Sequence, residues 1–190
     1  TESIREGAWR VRPGGIHSLP AARDTCLGTG DIGTEFARRA QAFRPACITG
    51  VRRTVRPSDP AFTSIHAIAE LDSVLPETDL LVMALPSTAE TVGILSRERI
   101  ALLPDSAFVV NVGRGTAIDQ EALCDALNAG RLAGAALDVV VPEPLPADHP
   151  LRRAKNLLLT PHVAGNMTLG YTCDKSVQMF CDDLENYAAG

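Results

Sequence analysis

The sequence predicts an α/β fold: a doubly wound parallel sheet with helices on both faces. Three observations carry this. Short, continuous apolar runs alternate with helix-patterned stretches from about residue 24 onward. The runs lack the in-out alternation of a half-exposed antiparallel strand and suit a sheet covered on both sides. Several of them close on a glycine or proline, where a loop must leave the strand.

Residues 1–22 hold Pro13, Gly14, Gly15 and Pro20, with Trp9 as the one core anchor, and read as an arm or linker. Residues 23–190 form the domain. Its first strand, just before Gly28, is more polar than a central strand should be. Residues 31–43 read as a helix and 46–50 as a short strand. Residues 70–75 read as a short helix and 80–85 as a buried strand closed by Pro86. A helix over 97–103 ends at Pro104, and a strand over 107–112 ends at Gly113. Asp119 caps a helix whose Ala122, Leu123, Ala126 and Leu127 share a face, and Gly130 stops it. Strands within 132–141 and at 157–159 follow. A last helix over 169–187 carries Val177, Phe180, Leu184 and Tyr187 at helical spacing.

The 190 residues are enough for one domain with a substantial core. A net charge of -5 disfavours nucleic acid and anionic membrane as partners. No apolar run approaches the roughly 18 residues that span a bilayer. The first residues lack the apolar stretch of a signal peptide. Five cysteines, an odd count without CxxC spacing, argue against a disulfide framework or a metal site. They are expected to be free, mostly buried thiols in a cytoplasmic protein. His17, His66 and His149 match no motif and are expected at the surface or in loops.

Gly28-Thr29-Gly30-Asp31-Ile32-Gly33 is a GxGxxG placed between a strand and a helix. In such a Rossmann-like turn Gly28 permits the bend, Gly30 lets backbone approach a pyrophosphate, and Gly33 lets helix and strand pack closely. The helix N-terminus then presents free N–H groups and a positive dipole end to the phosphates. An acidic residue commonly ends the second strand and binds the ribose hydroxyls. Here that position offers Arg52 and Arg53. Arginine pairs with a 2′-phosphate, so NADP(H) is the expected cofactor and NAD(H) the alternative.

Three further motifs follow: Asn111-Val112-Gly113-Arg114-Gly115, then Leu137-Asp138-Val139 leading to Pro142-Glu143-Pro144-Leu145, then Thr160-Pro161-His162-Val163-Ala164-Gly165. With the glycine loop, these resemble the D-isomer-specific 2-hydroxyacid dehydrogenase family over about residues 24–190. The resemblance implies that Arg114 grips a substrate carboxylate, that His162 is the acid/base, and that Glu143 is its partner. It also implies cofactor contacts from Leu85, Pro86 and Thr91 on the adenosine side. Val112, Asp138, Ala164 and Gly165 would lie on the nicotinamide side, with Asp138 binding the carboxamide.

The implied activity is hydride transfer between NAD(P)H and a 2-keto acid or D-2-hydroxy acid, with glyoxylate or hydroxypyruvate as the substrate guess and phosphoglycerate oxidation second. Family members often dimerise through this domain, so a homodimer is expected. Full-length relatives carry a second domain built mostly from an N-terminal segment of roughly a hundred residues. The stretch Gly7-Ala8-Trp9 resembles the end of the helix that links the two domains. The chain therefore reads as a truncated form with weak or no turnover alone. A dinucleotide-sensing binding module of the corepressor type is the rival reading.

Overall fold

The computed structural model describes Gly7 and residues 18–55, 60–165 and 170–189. Trp9, His17 and most of the arm lie outside them. Regular structure begins at β1 (Arg23–Leu27) and continues through α1 (Asp31–Ala40), β2 (Cys47–Arg52), β3 (Ser64–Ala67) and α2 (Leu71–Val74). Then come β4 (Leu80–Met83), α3 (Arg97–Leu102), β5 (Phe108–Asn111), α4 (Gln120–Asn128), β6 (Gly134–Leu137), β7 (Leu157–Leu159) and α5 (Gly170–Ala189).

Seven strands form one sheet in the order β3-β2-β1-β4-β5-β6-β7, and every pairing is parallel. The winding reverses at β1, with β2 and β3 on one side and β4 to β7 on the other. Such a reversal opens a crevice above the carboxyl ends of the strands at the switch, here β1 and β4. Alternate residues of β1 enter different cores. Leu27 joins Leu81, Met83, Val109, Ile100 of α3 and Leu123 of α4. Cys26 packs with Ala37 and Ala40 of α1, Ile48 and Phe62. Helices therefore cover both faces, as the apolar strands demand.

The structure departs from the sequence reading in several places. β3 has no counterpart there, because its four half-buried residues at the sheet edge carry no continuous apolar run. β2 extends to Arg52, since its pairing persists to Leu27↔Val51 on one side and Arg52↔Ala67 on the other. The helix expected over 31–43 stops at Ala40 and tightens into one turn, Gln41–Phe43, ended by Arg44 at φ 55°. His66 lies in the edge strand β3 and not in a loop, half-buried, with Nδ1 3.7 Å from Glu70 Oε1. His149 does lie in a loop, where its Nδ1 accepts from the Leu151 N–H at 3.2 Å.

All five thiols are free, but Cys173 and Cys181 are exposed on α5, so burial does not hold for the set. Burial pushes the Cys26 thiol up to about 12, which makes it inert. Helix α5 is described from Gly170 to Ala189 and buries none of its residues. Its stripe of Val177, Phe180, Leu184 and Tyr187 is 50–86% exposed.

The polarity of β1 is handled residue by residue. The Arg23 side chain and N–H both bond Asp79, and the Thr25 and Thr78 hydroxyls lie 2.8 Å apart. Asp24 is 6% exposed, and its Oδ1 has no hydrogen-bond partner among the described residues. Burial, aided by the charge of Asp79, raises its carboxyl to about 6. Below about pH 4 the group is protonated in folded and unfolded chains alike. Between that point and about 6 the unfolded chain loses the proton first, so stability falls with rising pH. Asp24→Asn is therefore expected to gain about 2–3 kcal/mol at pH 8 and to flatten that slope. Urea denaturation at several pH values checks this; equal stability of the two chains at pH 8 would refute it.

Candidate active site

The glycine loop joins β1 to α1 at the switch. Gly28 has φ +105°, and a Cβ there would meet the Ala84 oxygen at 2.7 Å. A Cβ on Gly33 would lie 1.9 Å from the Gly28 oxygen, so α1 sits directly on the loop that feeds it. Gly30 differs: no atom lies within 4 Å of its missing Cβ, and it caps α1 with no side-chain hydrogen bond. Open backbone at an uncapped helix N-terminus is what a pyrophosphate requires. The Thr29 hydroxyl beside it is buried, with no hydrogen-bond partner among the described residues. These features fit a dinucleotide.

Around this loop, Asp31 and Ile32 open α1, and Ile32 is 59% exposed. Arg52 ends β2 half-buried, and Arg53 follows it exposed. The Thr88 hydroxyl and the Glu90 N–H hold the Glu90 carboxyl below the usual range, with a smaller contribution from the Arg53 charge. Leu85 is buried and Pro86 exposed after β4. The Thr91 hydroxyl is engaged within that loop, donating to the Pro86 oxygen at 2.7 Å and accepting from the Thr88 N–H at 2.8 Å. Thr91 therefore shapes the loop.

Arg114, Glu143 and His162 follow β5, β6 and β7, three neighbouring strand ends. With Ser87 and Thr116 they line one cavity of about 280 Å³. Val112 leaves β5 half-buried, and its N–H donates to the Met83 oxygen at 3.0 Å. The turn carrying Arg114 is held by Asn111, fully buried at the end of β5. Its Oδ1 accepts from the Gly113 N–H at 3.0 Å and its Nδ2 donates to the Arg114 oxygen at 3.0 Å. The sequence reading placed Asn111 in a motif without a role; a carboxamide where a strand turns into the loop of a candidate site residue was the available signal.

His162 and Glu143 meet at 2.8 Å, Nδ1 to Oε2. Glu143 also accepts from the Val140 N–H at 3.0 Å. These two bonds, the His162 one first, hold the Glu143 carboxyl below its ordinary range, so it is an ionised acceptor and Nδ1 is the donor. Nε2 is then the nitrogen left for a substrate oxygen. His162 takes φ 56°, a left-handed conformation rare for a side-chain-bearing residue.

Asp138 holds that conformation. Its backbone oxygen accepts from the His162 N–H at 2.8 Å. Its carboxylate accepts from the Thr160 hydroxyl at 2.6 Å and from the Val163 and Ala164 N–H groups, each at 2.9 Å. Burial pushes the Asp138 carboxyl up, but these donors outweigh it and hold it below the ordinary range. Thr160 is thus a second residue that sequence reasoning passed over. Ala164 and Gly165 are exposed at the end of the described loop. Among the described residues, no three His, Cys, Asp or Glu side chains gather to hold a metal, and no helix is long and apolar enough to cross a membrane.

A glycine loop at the switch of a parallel sheet, with Arg114, Glu143 and His162 at the next strand ends, is the arrangement of a dinucleotide-binding domain. The family model for "D-isomer specific 2-hydroxyacid dehydrogenase, NAD binding domain" matches residues 1–164, and the chain belongs to that family. Glyoxylate/hydroxypyruvate reductase B of Pectobacterium carotovorum is 37% identical over 169 residues, covering 85% of this chain and 51% of the relative. The chain thus spans about half the length of the curated relatives it matches.

A solved family member from Aeromonas salmonicida aligns over 100% of this chain and 58% of its own, at a TM-score of 0.86 and 33% identity. Another, from Xanthobacter autotrophicus Py2 in complex with NADPH and MES, covers 97% of this chain and 74% of its own, at a TM-score of 0.80 and 33% identity. These relatives lend no support to the corepressor reading.

Proposed function

We propose that this chain is the cofactor-holding half of an NADPH-dependent reductase that converts a small 2-keto acid, glyoxylate or hydroxypyruvate, to the D-2-hydroxy acid. The observation that carries this is the convergence of Arg114 with the Glu143–His162 pair on one cavity. The bound dinucleotide supplies the hydride. Arg114, a permanent cation with a planar fork of donors, binds the substrate carboxylate and draws charge toward the keto oxygen. His162 gives a proton to that oxygen as the carbonyl carbon is reduced, and Glu143 accepts from Nδ1 and so orients the ring with Nε2 free for the substrate. Asp138, whose Oδ1 already accepts two hydrogen bonds and Oδ2 one, would offer its remaining Oδ2 lone pair to the carboxamide of the bound cofactor. Both Glu143 and His162 keep more than a third of their side-chain surface in water, 37% and 49%. Turnover by the 190-residue chain is therefore expected to be slow, because water exclusion is part of the chemistry. The proposal extends to a homodimeric, cytoplasmic protein, in keeping with the free thiols. Loss of NADPH absorbance on adding glyoxylate tests the activity.

The preference for NADPH rests on Arg52 and Arg53 at the end of β2, and the NADPH complex of the Xanthobacter relative accords with it. An Arg52→Ala/Arg53→Ala chain is expected to bind NADPH roughly 10- to 100-fold more weakly, the worth of a charge-assisted contact, with NADH affinity little changed. Fluorescence titration with both dinucleotides reads this. Equal or tighter NADH binding by the unaltered chain would sink the preference.

A further inference from the structure

The loops that carry the active groups are packed against each other, and a side chain outside both holds them in register. A Cβ on Gly115, next to Arg114, would lie 2.4 Å from the carbonyl carbon and oxygen of Val140, so the two loops touch backbone to backbone. Beside that contact stands Gln120, the first residue of α4. Its Nε2 donates to the Val141 oxygen at 2.6 Å, and the Val141 N–H donates to its Oε1 at 2.8 Å. Two bonds of opposite sense to one residue fix both distance and orientation, as a neighbouring strand would. The helix does not need Gln120 as a cap, because the Asp119 carboxylate already accepts from the Ala122 N–H at 2.9 Å.

Val141 lies between Val140, whose N–H binds Glu143 Oε1, and Glu143 itself, whose Oε2 binds His162. We propose that Gln120 is a positioning residue for the acid–base pair: its amide holds the 140–143 loop where Glu143 reaches Val140 and His162 together. The inference rests on the reading of Glu143 and His162 as that pair. With the clamp gone, the loop is free to slide along the Gly115 wall, Glu143 exchanges His162 for water, and the imidazole loses its orienting acceptor.

The test uses the full 190-residue chain with Gln120→Ala and Gln120→Glu, the latter keeping size and the acceptor while losing the donor. The Glu143 carboxyl is titrated by 13C NMR, a readout that a merely stabilising residue would leave in place. In both variants the Glu143 titration is expected to move up toward the ordinary carboxylate range. In a turnover assay kcat is expected to fall by about tenfold, with KM for glyoxylate nearly unchanged. An unmoved Glu143 titration in folded Gln120→Ala overturns the proposal. If that chain does not fold, the same result in Gln120→Glu overturns it. A shifted titration with no dinucleotide binding by the unaltered chain in a fluorescence titration supports the clamp and counts against the reductase reading. Turnover in the unaltered chain with an unmoved titration in the variants does the reverse.

Discussion

A Gly33→Ala chain is expected to lose dinucleotide binding by at least about 100-fold and to be less stable by roughly 2–4 kcal/mol. The new Cβ would sit 1.9 Å from the Gly28 oxygen and 2.8 Å from the Cys26 sulfur. Neither neighbour can yield cheaply. One is backbone of the loop itself, and the other belongs to a fully buried residue of β1. Helix α1 must therefore lift from the sheet, disturbing the cluster of Cys26, Ala37, Ala40 and Ile48 and withdrawing the helix N-terminus from the phosphates. Gly30→Ala separates the two effects. Its Cβ meets nothing within 4 Å, so stability should hold while pyrophosphate approach is blocked. Denaturant melts and NADPH fluorescence titration of both variants check the pair of outcomes. Native dinucleotide affinity in Gly33→Ala would falsify the loop assignment.

His162→Ala is expected to lower kcat by about 10²- to 10⁴-fold, the usual worth of a positioned proton donor, with the fold and cofactor affinity retained. His162 is exposed, so its removal leaves no cavity. Glu143→Gln should cost less, roughly 10- to 100-fold, because a neutral amide oxygen can still accept from Nδ1 but forms a weaker bond than the carboxylate. The pH dependence has a definite sign. Glu143 titrates below its ordinary range, so its charge persists into mild acid. Its contribution is lost as pH falls through that depressed titration, and the acid limb of the profile should disappear in Glu143→Gln. Stopped-flow and steady-state rates from pH 4 to 9 read this; a His162→Ala chain as fast as the parent would remove His162 from the mechanism.

Much of the fold was legible because its signals are local. Apolar runs marked β4, β5, β6 and β7, Asp119 and Gly130 bracketed α4, and the GxGxxG marked the β1–α1 turn. β3 escaped because a short, half-buried edge strand needs little apolar character of its own. The length of β2 escaped because its last residues are held by pairing with β1 and β3, and their own apolar character does not show it. The polarity of β1 looked like a weakness, and only the packing showed that Thr25 and Arg23 find partners while Asp24 Oδ1 finds none among the described residues.

Chain order alone placed Arg114, Glu143 and His162 at strand ends, since each follows an apolar run that must form a strand. It also marked the family, because motif identity and spacing survive without coordinates. The contact between Glu143 and His162, 19 positions apart, belongs to tertiary structure. It exists because β6 and β7 pair in parallel register, Leu137 beside Leu159, which delivers both loops to the same edge. The bonds that Asp138 spends on the His162 loop, the grip of Asn111 on Arg114 and the clamp of Gln120 on Val141 have the same origin. Side-chain to backbone bonds between loops leave no periodicity in a sequence. They are settled only when the sheet sets which loops meet.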